Sequence, residues 1–174
     1  MNVKAYFTNR PEYKVTDVIV NLINHFDKSI YIRAYNYCSK PINDAILNAI
    51  KRKVHVEQIV DFNSSLVPYC LSHTLHEAGA KVWTDKVHKI AHDKIIVGDE
   101  KIVITGSFNF SAQAETNAEN IIVINDPVIA QAYLEDHNLH KKHCTPYPNK
   151  TRRELLHLNR FIENYKPPSE LDEE

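Results

Sequence analysis

A group of polar side chains between residues 92 and 120 has the composition of a catalytic site. His92 and Lys94 stand two positions apart, and Ser107 and Asn109 repeat this spacing after Gly106. Side chains two positions apart on an extended strand point to the same face, so each pair is expected to share a surface. An imidazole, a fixed positive charge and neutral donors on one surface suit an oxyanion such as a pentacoordinate phosphorane. This chemistry needs no metal ligand, and we expect neither a metal nor a cofactor.

Two acidic positions complete the pattern. Asp99 follows Lys94 in the spacing His-x-Lys-x4-Asp, and Glu119 directly precedes Asn120. The first spacing alone arises often by chance, but its combination with the downstream Gly-Ser-x-Asn is specific. The combined motif resembles the signature of the phospholipase D superfamily, and it is most similar to that of the superfamily's small bacterial single-motif endonucleases. The resemblance extends over residues 3–143.

The resemblance implies a role for each polar residue of the motif. His92 would be the nucleophile that forms a covalent phosphohistidine, or the general acid that protonates the leaving oxygen. Lys94 and Asn109 would bind the non-bridging phosphate oxygens, assisted by Ser107. Glu119 would accept a hydrogen bond from the far ring nitrogen of His92 and thereby fix the tautomer of the imidazole.

Two further motif residues are expected to act on the backbone and not on substrate. Asp99 would support its own loop or the neighbouring lysine. Gly106 would allow a close backbone approach, or a positive φ, just past the end of a strand. We therefore place both residues around the site without assigning them a contact with the phosphate.

In-line displacement at phosphorus requires a second histidine. The nucleophile and the leaving group lie on opposite sides of phosphorus, so one imidazole cannot easily serve both in a single step. The motif occurs once in this chain, and in single-motif members of the family a two-fold homodimer brings two copies together. The resemblance therefore implies a homodimer with one composite site on its axis.

Composition and periodicity are typical of one soluble globular domain. The 174 residues are 43% hydrophobic and 25% charged. No apolar run approaches the ~18 residues of a membrane span, so we expect no transmembrane helix and no stable membrane association. The N-terminus lacks the features of a signal peptide, and we expect a cytoplasmic location. Cys38, Cys70 and Cys144 show no CxxC spacing and are expected to be packing residues or incidental thiols.

Periodicity predicts an α/β fold, and the resemblance implies the same architecture, a phospholipase D-like mixed β-sheet flanked by helices in a single domain. Strand and helix alternate three times before residue 85, which indicates parallel pairing. The later strands follow one another too closely for intervening helices, and a hairpin turn is expected at Gly98-Asp99-Glu100. The predicted strands are 3–7, 29–35, 54–60, 81–83, 94–97, 101–105 and 120–124, and the predicted helices are 14–26, 41–50, 66–78 and 127–142.

The last thirty residues form a separate segment in this interpretation. We place the catalytic domain at residues 1–143 and a C-terminal helical extension at residues 144–174. Prolines interrupt the chain between residues 144 and 149, and residues 152–165 have an amphipathic pattern. The acidic end after Pro167-Pro168 is expected to be disordered.

The charge distribution assigns any nucleic-acid binding to a local patch. The net charge is −1, and residues 151–174 hold four basic and six acidic side chains, which leaves residues 1–150 at +1. A near-neutral body has no broad basic surface. Lys86, Lys89 and Lys101 flank the motif and could guide a polyanion, or they could form only a solvated face.

Aromatic and arginine side chains near the motif have two interpretations. Tyr35 and Tyr37 could stack on bases at the rim of the site, or they could pack in its wall. Arg33, on the same strand face, could contact phosphate, but we favour an ion pair within the sheet.

Two groups of histidines invite a metal interpretation. His88 and His92 have the i, i+4 spacing of a zinc helix, but the following glutamate is missing and a strand follows, so we expect no zinc there. His137, His140 and His143 follow helical spacing and could bind a metal, although we favour a solvent-exposed helix face.

Three functions are consistent with these features. We favour a metal-independent endonuclease that acts on DNA, or RNA, through a phosphohistidine. The second is a lipid-directed hydrolase of the same superfamily acting on a phospholipid or cardiolipin, but no apolar docking segment is evident in the sequence. The third, a non-catalytic dimer that binds polyanions, would be free to lose His92 or Lys94, and both are present.

Overall fold

Alternating strands and helices build the parallel part of the sheet. The computed structural model describes residues 2–147. The elements of this half are β1 (Asn2–Phe7), α1 (Val15–Asn24), β2 (Ser29–Ala34), α2 (Lys40–Lys51), β3 (His55–Asp61), α3 (Phe62–Ser65), α4 (Ser72–Glu77) and β4 (Lys81–Asp85). Strand β3 pairs in parallel with both β2 and β4, because a helical segment returns the chain to the same end of the sheet after β2 and after β3.

The second half of the chain adds antiparallel strands to the same sheet. Asp99 and Glu100 turn the chain with φ angles of 52° and 55°, which matches the primed turn favoured in tight hairpins. The remaining elements are β5 (Lys94–Gly98), β6 (Ile102–Gly106), a short 3₁₀ helix (Gln113–Thr116), β7 (Asn120–Asn125), α5 (Pro127–Lys141) and β8 (Thr145–Pro146). The sheet order is β1-β7-β6-β5-β2-β3-β4-β8, so the mixed sheet expected from the sequence is confirmed.

Each face of the sheet is covered by helices. One face packs Ile30, Ile32, Ile96 and Ile104 against α1 and α2, whose buried residues include Ile19 and Ile46. The opposite face packs the alternate residues of β5 and β6 against Ala130 and Leu134 of α5. The strand β5 is buried along its whole length, as expected for a central strand covered on both sides.

The candidate site residues lie at one end of the strands of this sheet. Lys94 at the start of β5 pairs with Ala34 at the end of β2. Gly106 at the end of β6 pairs with Ile121 near the start of β7. Asn120, the first residue of β7, pairs with the last residue of β1. The ends of five strands therefore lie side by side where the motif residues leave the sheet.

Two differences from the sequence-based expectations have local causes. The helix predicted at 66–78 is present only in its second half, since α4 covers Ser72–Glu77 and the irregular segment that precedes it contains Pro68. A proline inside a helix removes a hydrogen bond and clashes with the preceding turn. The sheet also continues past residue 143, because β8 pairs with β4 through Thr145 and Pro146.

Some expectations fall on residues that the structure does not describe. The helix predicted at 152–165 and the acidic end of the extension lie outside residues 2–147. Among the helices within residues 2–147, none has the length and apolar character needed to cross a membrane.

Asp99 fastens the loop that precedes β2. Its carboxylate accepts hydrogen bonds from the backbone N–H groups of Asp27 at 3.1 Å, Lys28 at 2.8 Å and Ser29 at 3.1 Å. Asp99 follows β5, whereas Lys94 begins that strand, so roughly 16 Å of extended chain separates Asp99 from Lys94. The Asp99 carboxylate therefore supports a loop at the other end of the strands from the site.

We expect Asp99→Ala to lower the free energy of unfolding by about 1–3 kcal/mol, because it leaves backbone donors without their charged acceptor. Asp99→Asn is the matched control, since asparagine keeps an acceptor oxygen and tolerates the positive φ. Urea unfolding of both variants measures the difference. Equal stability of Asp99→Ala and the unchanged protein would contradict the anchoring role.

Candidate active site

The ammonium group of Lys94 is buried at the start of β5, at one end of the strands of the sheet. The residue is only 7% exposed, and its Nζ atom donates a hydrogen bond of 2.8 Å to the carbonyl oxygen of His92. The same atom lies 5.6 Å from the ring centroid of Tyr35. Among residues 2–147, no carboxylate lies within ion-pair distance of Lys94. Burial lowers the pKa of Lys94 to about 8, although the charges of Asp93 and Glu119 oppose the shift.

His92 lies just outside the sheet and is exposed to solvent. β5 begins two residues later, at Lys94, so the expectation that both side chains stand on one regular strand is wrong. The ring of Tyr35 instead contacts both His92 and Lys94. Its centroid lies 4.8 Å from that of the His92 ring and 5.6 Å from Nζ of Lys94. The backbone N–H of Tyr35 donates to the carbonyl oxygen of Asp93 at 2.9 Å, which holds the intervening residue against the end of β2.

The imidazole of His92 is held towards its neutral form. Partial burial lowers the pKa of His92, and the positive charge of Lys94 lowers it further. The carboxylates of Asp93, Asp61 and Glu119 act in the opposite direction without reversing the shift. A neutral imidazole has a free lone pair, which a nucleophile or general base requires.

Asp61 is a positioning residue that the sequence did not reveal. This carboxylate, 2% exposed, lies at the end of β3. One oxygen accepts a hydrogen bond from the N–H of Ser64 at 2.8 Å, and the other accepts from the N–H of Ala91 at 3.1 Å. The second bond fixes the chain one residue before His92. An aspartate between a strand and a helix was a visible capping signal, but its partner at Ala91 depends on the tertiary fold.

Gly106 allows two strands to approach closely beside the site. A Cβ atom at this position would lie 2.2 Å from the carbonyl oxygen of Asn120 and 2.9 Å from the Cα atom of Ile121. The backbone N–H of Ser107 donates to that carbonyl at 3.1 Å, and the hydroxyl of Ser107 accepts from the N–H of Asn120 at 3.1 Å. The close approach expected at Gly106 is present, and it places Ser107 at the start of β7.

Asn109 presents a buried acceptor that is not paired within residues 2–147. Its side-chain oxygen is among the buried polar atoms without a hydrogen-bond partner in the described chain. The surrounding backbone is well fixed, because the N–H of Ser111 donates to the carbonyl of Asn109 at 2.7 Å and the carbonyl of Phe110 accepts from Cys38 and Ser39. Buried polar groups normally have a partner, so this oxygen suits a donor group on a ligand, whereas a phosphate oxygen would have to accept from the Nδ2 group of the same amide.

Glu119 lies near the site but does not hydrogen-bond to His92 in the described part of the chain. Its backbone is held by Thr8, whose N–H donates to the Glu119 carbonyl at 3.0 Å and whose hydroxyl accepts from the Glu119 N–H at 2.9 Å. The carboxylate accepts a long bond of 3.5 Å from the side chain of Asn117. Its charge reaches His92 and raises the pKa of that imidazole, so its present influence is electrostatic.

The remaining sequence-predicted residues have varied positions. Tyr35 forms the wall between Lys94 and His92, whereas Tyr37 is buried in the core at 2% exposure. Arg33 forms ion pairs with Asp93 at 3.2 Å and Asp136 at 2.6 Å, as the ion-pair interpretation expected.

The three lysines that flank the motif in sequence do not form one patch. Lys86 and Lys89 are exposed on the segment that leads to His92, whereas Lys101 follows the hairpin turn after Gly98 at the other end of β5. Only the first two can therefore lie on the segment that carries the histidine.

The expectation of a solvent-exposed histidine face is wrong for His137 and His140, whereas His143 is exposed. His137 is 3% exposed and lies 5.4 Å from the ring of Tyr31 and 3.7 Å from Glu57. Nε2 of His140 donates to the buried carboxylate of Asp85 at 2.8 Å. The spacing of three residues was a correct signal of a shared face, but the sequence did not show that this face is turned towards the sheet.

The electrostatic account predicts how the pKa of His92 responds to single substitutions. Lys94→Met removes a positive charge and should raise the pKa of His92, whereas Glu119→Gln removes a negative charge and should lower it. Proton NMR titration of the ring signals measures both, with the His92 signal among the ten histidines assigned by its loss in His92→Ala. Shifts of the opposite signs would contradict the assignment of the two charges.

Comparisons with known proteins agree with this geometry. A family model described as a cardiolipin synthase, PLD-like domain matches residues 19–140. A Rickettsia felis protein named phospholipase D is 41% identical over 135 residues, covering 77% of this chain and 66% of that protein. The mitochondrial cardiolipin hydrolase of Xenopus laevis is 32% identical over 110 residues, covering 63% of this chain and 52% of that protein. The chain thus spans less than two thirds of the length of these curated relatives.

A solved structure extends the agreement to the whole fold. The crystal structure of Nuc from Salmonella typhimurium, a phospholipase D family member, is similar with a TM-score of 0.78 and 30% sequence identity. The similarity covers 85% of this chain and 99% of that one. The resemblance inferred from the motif is confirmed, and the chain belongs to the phospholipase D superfamily, whose named relatives here are phosphodiester hydrolases.

Proposed function

We propose that this chain is a metal-independent phosphodiesterase, an endonuclease that cleaves DNA, with RNA as a second nucleic-acid substrate. The observation that supports it most is the buried ammonium of Lys94, which contacts the same Tyr35 ring as the imidazole of His92. A buried charge without a counter-ion is costly. A phosphodiester would supply the missing negative charge and place its phosphorus next to a nucleophile.

The reaction proceeds by two displacements in this proposal. A lone-pair nitrogen of His92 attacks phosphorus, a nitrogen–phosphorus bond forms, and the bond to the leaving oxygen breaks. A protonated imidazole on the opposite side donates its proton to that oxygen. The same group then removes a proton from water, which attacks phosphorus and releases His92. Lys94, Ser107 and Asn109 hold the phosphate throughout.

A second copy of the chain would supply the opposite imidazole. Within residues 2–147 the ring that contacts His92 is that of Tyr35, and no second imidazole lies against it. In the same part of the chain His92 donates no hydrogen bond to Glu119, which is compatible with a site that is completed only by association. We therefore propose a homodimer with the two His92 residues facing each other across the two-fold axis.

A lipid substrate is the second candidate, and one surface feature favours it. Val87 and Ile90, on the segment that leads to His92, are 66% and 46% exposed, so this segment is more apolar than the sequence suggested. Lys86 and Lys89 lie beside them, and exposed apolar and basic side chains together suit an anionic membrane surface. The relative named cardiolipin hydrolase makes cardiolipin the lipid to test. The cytoplasmic location stays a prediction.

We expect the purified full chain to cleave supercoiled plasmid in excess EDTA, at a temperature where circular dichroism shows it folded. His92→Ala should lose at least about a thousandfold in rate, because the nucleophile is removed. His25→Ala, at an exposed histidine outside the site, is the matched control and should remain active. Plasmid, single-stranded DNA, RNA and cardiolipin vesicles are assayed side by side.

Each result of this assay has a clear meaning. Cleavage of cardiolipin alone would replace the nuclease proposal with the lipid one. Equal behaviour of the unchanged protein and His92→Ala on all four substrates would contradict both.

We expect His92→Ala to suppress the activity of unchanged protein when the two are mixed and allowed to exchange subunits. If each active site needs two His92 residues, an equal mixture retains about one quarter of the activity, since only one dimer in four is intact. If each chain acts alone, about one half remains. Mixing with His25→Ala is the control, and additive activity with His92→Ala would exclude a shared site.

A further inference from the structure

Four side chains with metal-ligating atoms converge on the α5 side of the sheet. Asp85 is the last residue of β4, His140 lies in the last turn of α5, and His143 and Cys144 follow that helix. One potential ligand atom from each of the four lies within 4.8 Å of all the others. Residues from a strand and a helix meet here because β8, just beyond Cys144, pairs with β4.

The carboxylate of Asp85 is the centre of this group. The residue is 1% exposed. One oxygen accepts backbone hydrogen bonds from Val87 at 2.8 Å and His88 at 3.2 Å. The other oxygen faces three imidazoles, with the ring nitrogens of His88, His140 and His143 at 2.6, 2.8 and 3.8 Å. Side chains that bind one cation converge on a common point, and the imidazoles of His140 and His143 already converge on the carboxylate of Asp85.

We propose that Asp85, His140, His143 and Cys144 bind a divalent transition metal ion, with Zn²⁺ as the best match. Zinc prefers four ligands from nitrogen, sulfur and carboxylate oxygen in tetrahedral geometry. At zinc–ligand distances of about 2.0–2.3 Å, neighbouring ligand atoms stand roughly 3.3–3.8 Å apart. The present separations, up to 4.8 Å, are within about 1.5 Å of that geometry, which side-chain rotation alone can supply.

The surroundings of the four residues suit this role. The Sγ–H of Cys144 donates to the carbonyl oxygen of His140 at 3.3 Å, which holds the sulfur beside the last turn of α5. On binding, the sulfur releases its proton to solvent and coordinates as a thiolate. The side chain of His143 is 34% exposed, which gives an ion a path from solvent.

Arg33 sets the tautomer of His140 before an ion binds. Its guanidinium can only donate, and its NH1 group lies 3.3 Å from Nδ1 of His140, so the imidazole proton is on Nε2, facing Asp85. Metal binding at Nε2 requires the proton of His140 to move to Nδ1. Since Nδ1–H and the NH1 group of Arg33 are then both donors, the contact between them is lost, while Arg33 keeps its ion pairs with Asp93 and Asp136.

The metal site would stabilise residues 86–93, the segment that carries His92, and would not contact the reacting atoms. Within residues 2–147, no hydrogen bond or ion pair joins the four ligands to His92 or Lys94. Asp85 instead binds the backbone at the start of the segment, and Arg33 pairs with Asp93 at its end. A bound ion would therefore hold β4, α5 and this segment together as a structural centre.

Metal retention by the full chain tests the proposal. The protein is stripped with a chelator, dialysed and titrated with Zn²⁺ and, separately, Co²⁺. We expect one ion per chain, a higher melting temperature with Zn²⁺, and a sulfur-to-cobalt charge-transfer band. Cys144→Ser should lose the band, and His143→Gln should lower the affinity at least about tenfold, the loss seen even for outer partners of metal ligands. Cys38→Ser is the matched control and should keep both.

Two results would overturn the metal site. One is the absence of a stoichiometric ion at micromolar free Zn²⁺ in the unchanged, folded protein. The other is a cobalt band that persists in Cys144→Ser and disappears in Cys38→Ser. These measurements contain no substrate, so they stand apart from the nuclease assay.

Discussion

The buried ammonium group of Lys94 is the constraint on which the rest of the site depends. A charge removed from water must be compensated, and the chain offers it a carbonyl oxygen and an aromatic face but no carboxylate within ion-pair distance among residues 2–147. This leaves a positive site that an anion can complete. Partial burial lowers the pKa of His92 and the charge of Lys94 lowers it further, so Lys94 contributes both to the anion site and to the state of the proposed nucleophile.

The position of Lys94 follows from the topology of the sheet. β5 lies between β2 and β6, and its first residue lies on the side of the sheet where the ends of β1, β7, β6 and β2 also lie. Gly106 lets β7 approach closely enough to bring Ser107 and Asn120 into contact. Asp61 holds the backbone beside His92, and Asp99 fastens the opposite end of the hairpin. Each polar group in the site is thus placed by a backbone contact, which is how rigid sites are normally built.

The sequence predicted those features that arise from local chemistry. The glycine at Gly106 and the carboxylate at Asp99 could be assigned backbone roles because short-range rules govern turns and close approaches. The burial of Lys94 could not be predicted, since it depends on the strands on either side of β5. The helix predicted at 66–78 begins only after Pro68, at Ser72. The exposed histidine face is wrong for His140, because His140 contacts Asp85, a residue 55 positions away in the chain. Such partners are fixed by tertiary packing and leave no local pattern.

Detection of a covalent adduct on His92 is the most direct test of the central claim. The unchanged protein is mixed with a single-stranded oligonucleotide, quenched in alkaline denaturant, which preserves phosphohistidine, and digested for mass spectrometry. The account predicts a phosphate-linked nucleotide fragment on His92, on at most one chain of each dimer, and no adduct on His88. Rapid turnover with no adduct on any histidine, or an adduct on a different residue, would contradict it.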